Sequence, residues 1–94
     1  MSLVKVQGKN SKHKVRLYAI STCAWCKATK KFLKNHSIKY EYIDVDLCDK
    51  KVKDKIVDDI LSRGGTLSYP TIIIDDEVLI TGFREDELKE ALEV

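Results

Sequence analysis

Short apolar runs and amphipathic stretches alternate along the chain, and their order predicts its elements. Val15 to Ile20 is apolar or aromatic apart from Arg16, which suits a strand buried on at least one side, and Ser21-Thr22 then breaks it. From Ala24 to about Asn35, Ala28 and Phe32 lie four apart with Leu33 beside them, while Lys27, Lys30, Lys31 and Lys34 share the other side. This is the pattern of an amphipathic helix with a solvated basic face. Ile38 to Val45 alternates in part, with Tyr40 and Tyr42 on one face and Ile43 and Val45 on the other, and reads as a second strand. Asp49 is placed to cap a second helix on which Val52, Ile56 and Ile60 recur every four residues, and Gly64 ends it. Thr71 to Ile74 and Val78 to Ile80 are β-branched runs on either side of Asp75-Asp76-Glu77, the signature of an antiparallel hairpin. Glu85, Asp86 and Glu87 put acid in the first turn of a last helix. Arg84 is its expected cap, and Phe83 is expected to staple onto Leu88.

The order is therefore β-α-β-α-β-β-α, a four-stranded mixed sheet with helices on both faces. Residues 1–13 form either an extra edge strand over Leu3 to Val6 or a mobile arm, and residues 14–94 form the domain proper. At 94 residues and 44% hydrophobic content there is enough chain for one core. A net charge of +2, from 17 basic and 15 acidic side chains, is too small for a protein devoted to phosphate backbones, so no nucleic-acid partner is expected. No run reaches the roughly 18 apolar residues of a membrane span, and no apolar leader stands at the amino terminus; a cytoplasmic monomer with no membrane partner is expected. His13 and His36 are expected to meet solvent.

Three cysteines do not make a secreted disulfide framework, and two of them form Cys23-Ala24-Trp25-Cys26 at a predicted helix start. That spacing puts both sulfurs on one turn, close enough to form a disulfide. Cys23 stands just before the first turn, where unpaired N–H groups and the helix dipole favour an anion and Lys27 adds positive charge. Cys26 lies one turn inside, shielded, and suits a thiol that stays protonated until it resolves a mixed disulfide. The competing reading is half of a zinc site, but Cys48, His13 and His36 offer no second closely spaced pair, so no metal or other cofactor is expected. Cys48 reads as an inert, partly buried thiol. Trp25 reads as part of an exposed docking surface beside Cys23.

The strand Val15–Ile20, the Cys-Ala-Trp-Cys helix, Ser68-Tyr69-Pro70-Thr71 and Thr81-Gly82-Phe83-Arg84-Glu85-Asp86 together resemble the glutaredoxins over residues 14 to 94. Within that family the chain is similar to the NrdH-type redoxins, which reduce ribonucleotide reductase: their Ser-Gly-Phe-Arg-Pro-Asp motif corresponds to Thr81-Gly82-Phe83-Arg84-Glu85-Asp86, with Thr81 and Glu85 in place of Ser and Pro, and their Cys-x-x-Cys-x-x-Thr-Lys pattern is present as Cys23, Cys26, Thr29 and Lys30. The resemblance implies a thioredoxin-like α/β fold and a dithiol–disulfide oxidoreductase acting on protein disulfides through Cys23 and Cys26. It also implies that Pro70 is a cis-proline presenting the backbone of Tyr69 to an extended substrate. The bulk of Tyr69, where a smaller residue is common, is expected to narrow the substrate range. Thr22, Trp25, Lys27, Tyr69, Pro70, Gly82, Phe83 and Asp86 make up the expected substrate-binding set.

Two departures bear on the electron donor. Glutathione-using relatives commonly carry Lys or Arg where this chain has Ile20, and a Gly-Gly pair where it has Thr81-Gly82. Losing a charge-assisted contact of about 1.5–3 kcal/mol costs about ten- to hundredfold in affinity, with Asp86 and the last helix's N–H groups left as a weak pocket. A thioredoxin-reductase-like donor is therefore expected in place of glutathione. The alternative function is a glutathione- or metal-binding module, such as an iron–sulfur carrier, against which the presence of Cys26 counts.

Overall fold

The computed structural model of the protein describes residues 3–94. Met1 and Ser2, part of the expected N-terminal segment, lie outside the described residues. The elements are β1 (Val4–Val6), β2 (Val15–Ala19), α1 (Ala24–Asn35), β3 (Tyr40–Asp44), a 3-10 turn (Val45–Leu47), α2 (Lys50–Ser62), β4 (Thr71–Ile74), β5 (Val78–Thr81) and α3 (Glu85–Leu92). They form one five-stranded sheet in the order β1-β3-β2-β4-β5. β2 and β3 run parallel, with Ala19 opposite Asp44, and every other neighbouring pair is antiparallel. The edge strand β1 raises the expected four strands to five, pairing Val4 with Tyr42 and Val6 with Tyr40.

β2 is central, and its side chains divide the core. Val15, Leu17 and Ala19 face Cys26, Phe32 and Leu33 of α1 and Leu88 and Leu92 of α3. Tyr18 faces the other way, against Ile56 and Ile60 of α2 with Ile43, Val45 and Ile73. The period-2 alternation of the strands thus meets a helical stripe on each face. The partial alternation read in β3 follows the same rule, with Tyr40 and Tyr42 on the α1 side and Ile43 on the α2 side.

The strand ends differ from the sequence pattern for local reasons. β2 stops at Ala19 because the carbonyl of Ile20 accepts the N–H of Cys23 at 3.1 Å, closing a turn. Ile38 is held outside β3 by the end of α1: its N–H donates to Leu33 O at 2.9 Å, and Ser37 before it has φ 54°. Asp49 caps α2, its carboxylate accepting the N–H of Val52 at 2.9 Å, and the hairpin turns through Asp75 and Asp76, both with positive φ. Gly8 passes so close to the Ser37–Lys39 backbone that an added Cβ would collide with the Ser37 carbonyl, so the approach requires glycine.

The histidines do not simply meet solvent. The largely buried ring of His13 sits between Asp75 (Nδ1 to Oδ2, 2.6 Å) and Glu93 (Nε2 to Oε1, 3.1 Å), linking the segment before β2 to the hairpin turn and the chain end. Asp75 also accepts the N–H of Lys14 at 2.8 Å. His36 packs against Phe32 with ring centroids 4.5 Å apart. Both side chains were masked in the sequence by their polar neighbours.

On the α2 face the fully buried Tyr18 reaches Asp59, donating its hydroxyl to Oδ2 at 2.6 Å, and Asp59 is also paired with Arg63 at 2.9 Å. Burial and the bond to Asp59 push the Tyr18 hydroxyl up to about 12 from its ordinary 10.0. Tyr18→Phe is expected to lower the unfolding free energy by about 1.5–3 kcal/mol, the range for a hydrogen bond to a charged group, as read by urea denaturation at neutral pH. Because the folded state holds this proton more tightly than the unfolded state, the contribution is complete below pH 10 and fades as pH rises through 12. The stability difference between parent and variant is therefore expected to shrink over that interval.

Candidate active site

The turn that ends β2 delivers Cys23 to the start of α1. Cys23 is the N-cap residue in extended conformation (φ −87°, ψ 120°), and its sulfur accepts the N–H of Cys26 at 3.1 Å. A helix start leaves N–H groups without partners, and here sulfur fills the place usually taken by a Ser or Asp oxygen. The Cys26 N–H and the positive end of the α1 dipole both meet this sulfur, which gives it donors and no opposing charge from the backbone. The first turn of α1 carries no acidic residue to oppose it.

Cys26 is fully buried while Cys23 is partly exposed, so one sulfur faces solvent and the other lies behind it. Burial first, and then its hydrogen bond with Cys23, push the Cys26 thiol up to about 12. The positions of the two cysteines thus follow the division read from the sequence.

Trp25, between the two cysteines in sequence, lines an open groove of about 290 Å³ together with Tyr69, Pro70, Thr81, Gly82, Phe83 and Arg84. The Tyr69–Pro70 peptide bond is cis. The Pro70 carbonyl accepts the N–H of Gly82 at 2.7 Å, and Gly82 has φ +85°, the left-handed region that favours glycine. Tyr69 lines the groove, and no hydrogen bond to its backbone is found among the described residues. The Tyr69 ring is half-buried and packs against the cores on both faces of the sheet. Trp25 is 65% exposed and stacks on Phe83 with centroids 6.1 Å apart; Phe83 in turn meets Phe32 edge-on.

Five of the eight expected substrate-binding residues, Trp25, Tyr69, Pro70, Gly82 and Phe83, come together in this groove. Thr22, Lys27 and Asp86 do not line it: Thr22 is exposed in the turn before Cys23, Lys27 on the outer side of α1, and Asp86 in the first turn of α3. Thr81 and Arg84 stand in the Thr81–Asp86 motif but outside the expected substrate-binding set; Arg84 donates to the Thr81 carbonyl at 3.0 Å, which holds it on the rim. Arg84 occupies the N-cap position of α3 without a side-chain capping bond, and Phe83 packs its ring on Trp25 and Phe32. The basic face of α1 also loses a member. Lys30 folds back to pair with Asp44 at 3.3 Å and lies 4.0 Å over the Tyr42 ring, leaving Lys27, Lys31 and Lys34 as the exposed lysines.

Asp46, not anticipated as a site residue, reaches the loop before Cys23 and binds Ser21 twice. The parallel register offers the signal for it, since Ser21 and Asp46 each lie two residues beyond the paired Ala19 and Asp44. Cys48 is half-buried, its thiol 3.5 Å from the Asp44 carbonyl. No group of three or more His, Cys, Asp or Glu side chains among the described residues is arranged to hold a metal ion, and no helix among them is long and apolar enough to cross a membrane.

The glutaredoxin family model matches residues 15–79. Among solved structures, the glutaredoxin from Methanosarcina mazei Go1 superposes with a TM-score of 0.88 at 37% identity, covering 98% of this chain and 88% of its own. Methanosarcina acetivorans methanoredoxin gives 0.80 at 38% identity, covering 86% and 85%. The NrdH-redoxin from Escherichia coli, a glutaredoxin-like protein with a thioredoxin-like activity profile, gives 0.66 at 27% identity, covering 82% and 92%. With the family match extending from the central strand through the cysteine pair to the hairpin, the chain belongs to the glutaredoxin family, with a thioredoxin-like fold.

Proposed function

We propose that the protein is a dithiol–disulfide oxidoreductase that reduces protein disulfides, with Cys23 as the attacking thiolate and Cys26 as the resolving thiol. The observation that carries this reading is the asymmetry of the pair: Cys23 sulfur caps α1 at the surface, and the Cys26 thiol is buried behind it with its acidity suppressed. In the first step the Cys23 thiolate attacks one sulfur of the substrate disulfide. A mixed disulfide forms and the other substrate sulfur leaves as a thiolate, which takes up a proton. Cys26 then gives up its proton and attacks the Cys23 sulfur, closing the Cys23–Cys26 disulfide and releasing the second substrate thiol. Two electrons pass to the substrate, and an external dithiol must return them to the pair.

The groove supports an extended polypeptide as substrate. Backbone groups at Tyr69 can pair with a strand, and the Trp25–Phe83 stack offers an apolar platform beside the reacting sulfur. Thr22, Lys27 and Asp86 would then meet parts of a protein partner beyond the groove. A ribonucleotide reductase disulfide is a candidate substrate on the strength of the Thr81–Asp86 motif. Need for a reducing donor suits a cytoplasmic setting. For that donor we favour a thioredoxin-reductase-like dithiol: Ile20 packs against the α2-side core and supplies no cation for a glutathione carboxylate, and the similar NrdH-redoxin of Escherichia coli has a thioredoxin-like activity profile.

Cys23→Ser is expected to abolish reduction of protein disulfides, while Cys26→Ser still attacks once and accumulates substrate covalently attached at Cys23. Intact-mass and peptide mapping check this, and an adduct on Cys48 would reassign the nucleophile. When the reduced parent is alkylated with iodoacetamide at pH 7, Cys26 is expected to react more slowly than Cys23 by well over about tenfold, since its thiolate is scarce. Oxidised protein is expected to be recycled by a thioredoxin-reductase system and poorly by glutathione with its reductase; efficient turnover with glutathione alone would overturn the donor assignment.

A further inference from the structure

β2 and β3 leave the sheet together. Their parallel register pairs Ala19 with Asp44, so the chain emerges from both strands at the same edge, and two residues further on Ser21 and Asp46 stand side by side. Asp46 lies in the 3-10 turn Val45–Leu47, whose first residue, Val45, is buried in the α2-side core, so its position is set by packing. Its carboxylate is wholly engaged with Ser21: Oδ1 accepts the backbone N–H at 2.8 Å and Oδ2 accepts the hydroxyl at 2.5 Å.

Ser21 belongs to the short turn that sets Cys23. The N–H of Cys23 closes that turn on Ile20 O, and the cysteine sulfur then meets the N–H of Cys26. Between Ile20 and Cys23 the exposed Thr22 makes no hydrogen bond among the described residues, so Ser21 is where the loop is tied to a neighbouring element. We propose that Asp46 is a positioning residue for the attack by Cys23: its two-point hold on Ser21 fixes the turn that presents the sulfur at the N-cap. This inference rests on the thiol–disulfide reading and deepens it. Both bonds also hold the Asp46 carboxylate below the usual range, the hydroxyl bond contributing most, so the clamp is ionised and closed under working conditions.

Positioning and charge are separable. Asp46 holds its negative charge on Ser21, two residues before Cys23, where it offers a nucleophilic sulfur no assistance of its own, so removing the charge alone is expected to leave the attack unchanged or faster. Asp46→Asn does this, because an amide keeps an oxygen for the Ser21 N–H and offers an N–H₂ to the hydroxyl. Asp46→Ala removes charge and clamp together.

The test is the pH–rate profile for alkylation of Cys23 by iodoacetamide, followed by peptide mass spectrometry, in the parent, Asp46→Asn, Asp46→Ala, Ser21→Ala and Ser21→Ala/Asp46→Ala proteins, with turnover of a protein disulfide alongside. Asp46→Asn is expected to match or exceed the parent. Asp46→Ala is expected to lose about three- to tenfold in both rates at pH 7, the effect of losing one or two hydrogen bonds on the population of the competent turn, with its profile displaced to higher pH. Ser21→Ala is expected to fall between them, and the double variant to lose no more than Asp46→Ala does, as for residues acting as one unit. Parental rates and profile in Asp46→Ala, a rate increase in it, or a lower melting temperature without displacement of the profile would each overturn the proposal. Should Asp46→Ala fail to fold, an unshifted Ser21→Ala or an impaired Asp46→Asn would overturn it equally. If the parent itself turns over no protein disulfide, the functional reading fails; if the parent is active and the variants do not differ from it, the positioning inference fails alone.

Discussion

A helix that starts at the edge of a buried sheet strand leaves backbone N–H groups that need partners, and in this chain the sulfur of Cys23 takes one of them. The rest of the site depends on that bond. It requires the N-cap conformation at Cys23, which places the sulfur at the surface while the next helical turn points Cys26 into the core with Phe32 and Leu33. It also requires α1 to begin right after β2, which the turn Ile20–Cys23 achieves. The chemical difference between two residues of one type therefore comes from a cap and a core position, and no further ionisable side chain has to be supplied to create it. Of the charged residues around the pair, Lys30 is tied to Asp44 and Asp46 to Ser21, while Lys27 is exposed on the outer side of α1.

Element types and order were readable because hydrophobic periodicity is strong where a helix or strand covers one face of a core. The amphipathic pattern from Ala24 to Asn35 coincides with α1, and Asp49 caps α2 as its position before Val52 implied. What sequence did not yield are features made by contacts between distant segments. His13 has polar neighbours in sequence, but its partners Asp75 and Glu93 arrive from the hairpin turn and the chain end. Lys30 follows the spacing of the exposed face, yet β3 places Asp44 and Tyr42 beside it. Asp46 sits in an unremarkable acidic run and acquires its role from the register of β3 on β2.

The groove at Trp25 divides in the same way. Trp25, Pro70 and Phe83 belong to motifs that could be quoted from the sequence, and the fold brings them into one groove because the cis Tyr69–Pro70 bond and Gly82, joined by a hydrogen bond, both lie next to the start of α1. Asp86, from the same motif as Phe83, ends outside the groove because the chain has by then entered α3 and its first turn faces solvent. A motif read along the chain marks a neighbourhood; which of its side chains line a site depends on where the strand gives way to the helix.

The central claim is that Cys23 and Cys26 form one reversible two-electron centre from which Cys48 is excluded. The most direct measurement equilibrates the protein in a series of buffers of defined thiol-to-disulfide ratio, quenches by alkylation and maps every cysteine by mass spectrometry. The account predicts a single transition in which Cys23 and Cys26 lose their label together with the Nernst slope of a two-electron couple, about 30 mV per decade, while Cys48 stays labelled throughout. A transition that pairs Cys48 with either of them, or a Cys23–Cys26 pair that never closes across the series, would contradict it.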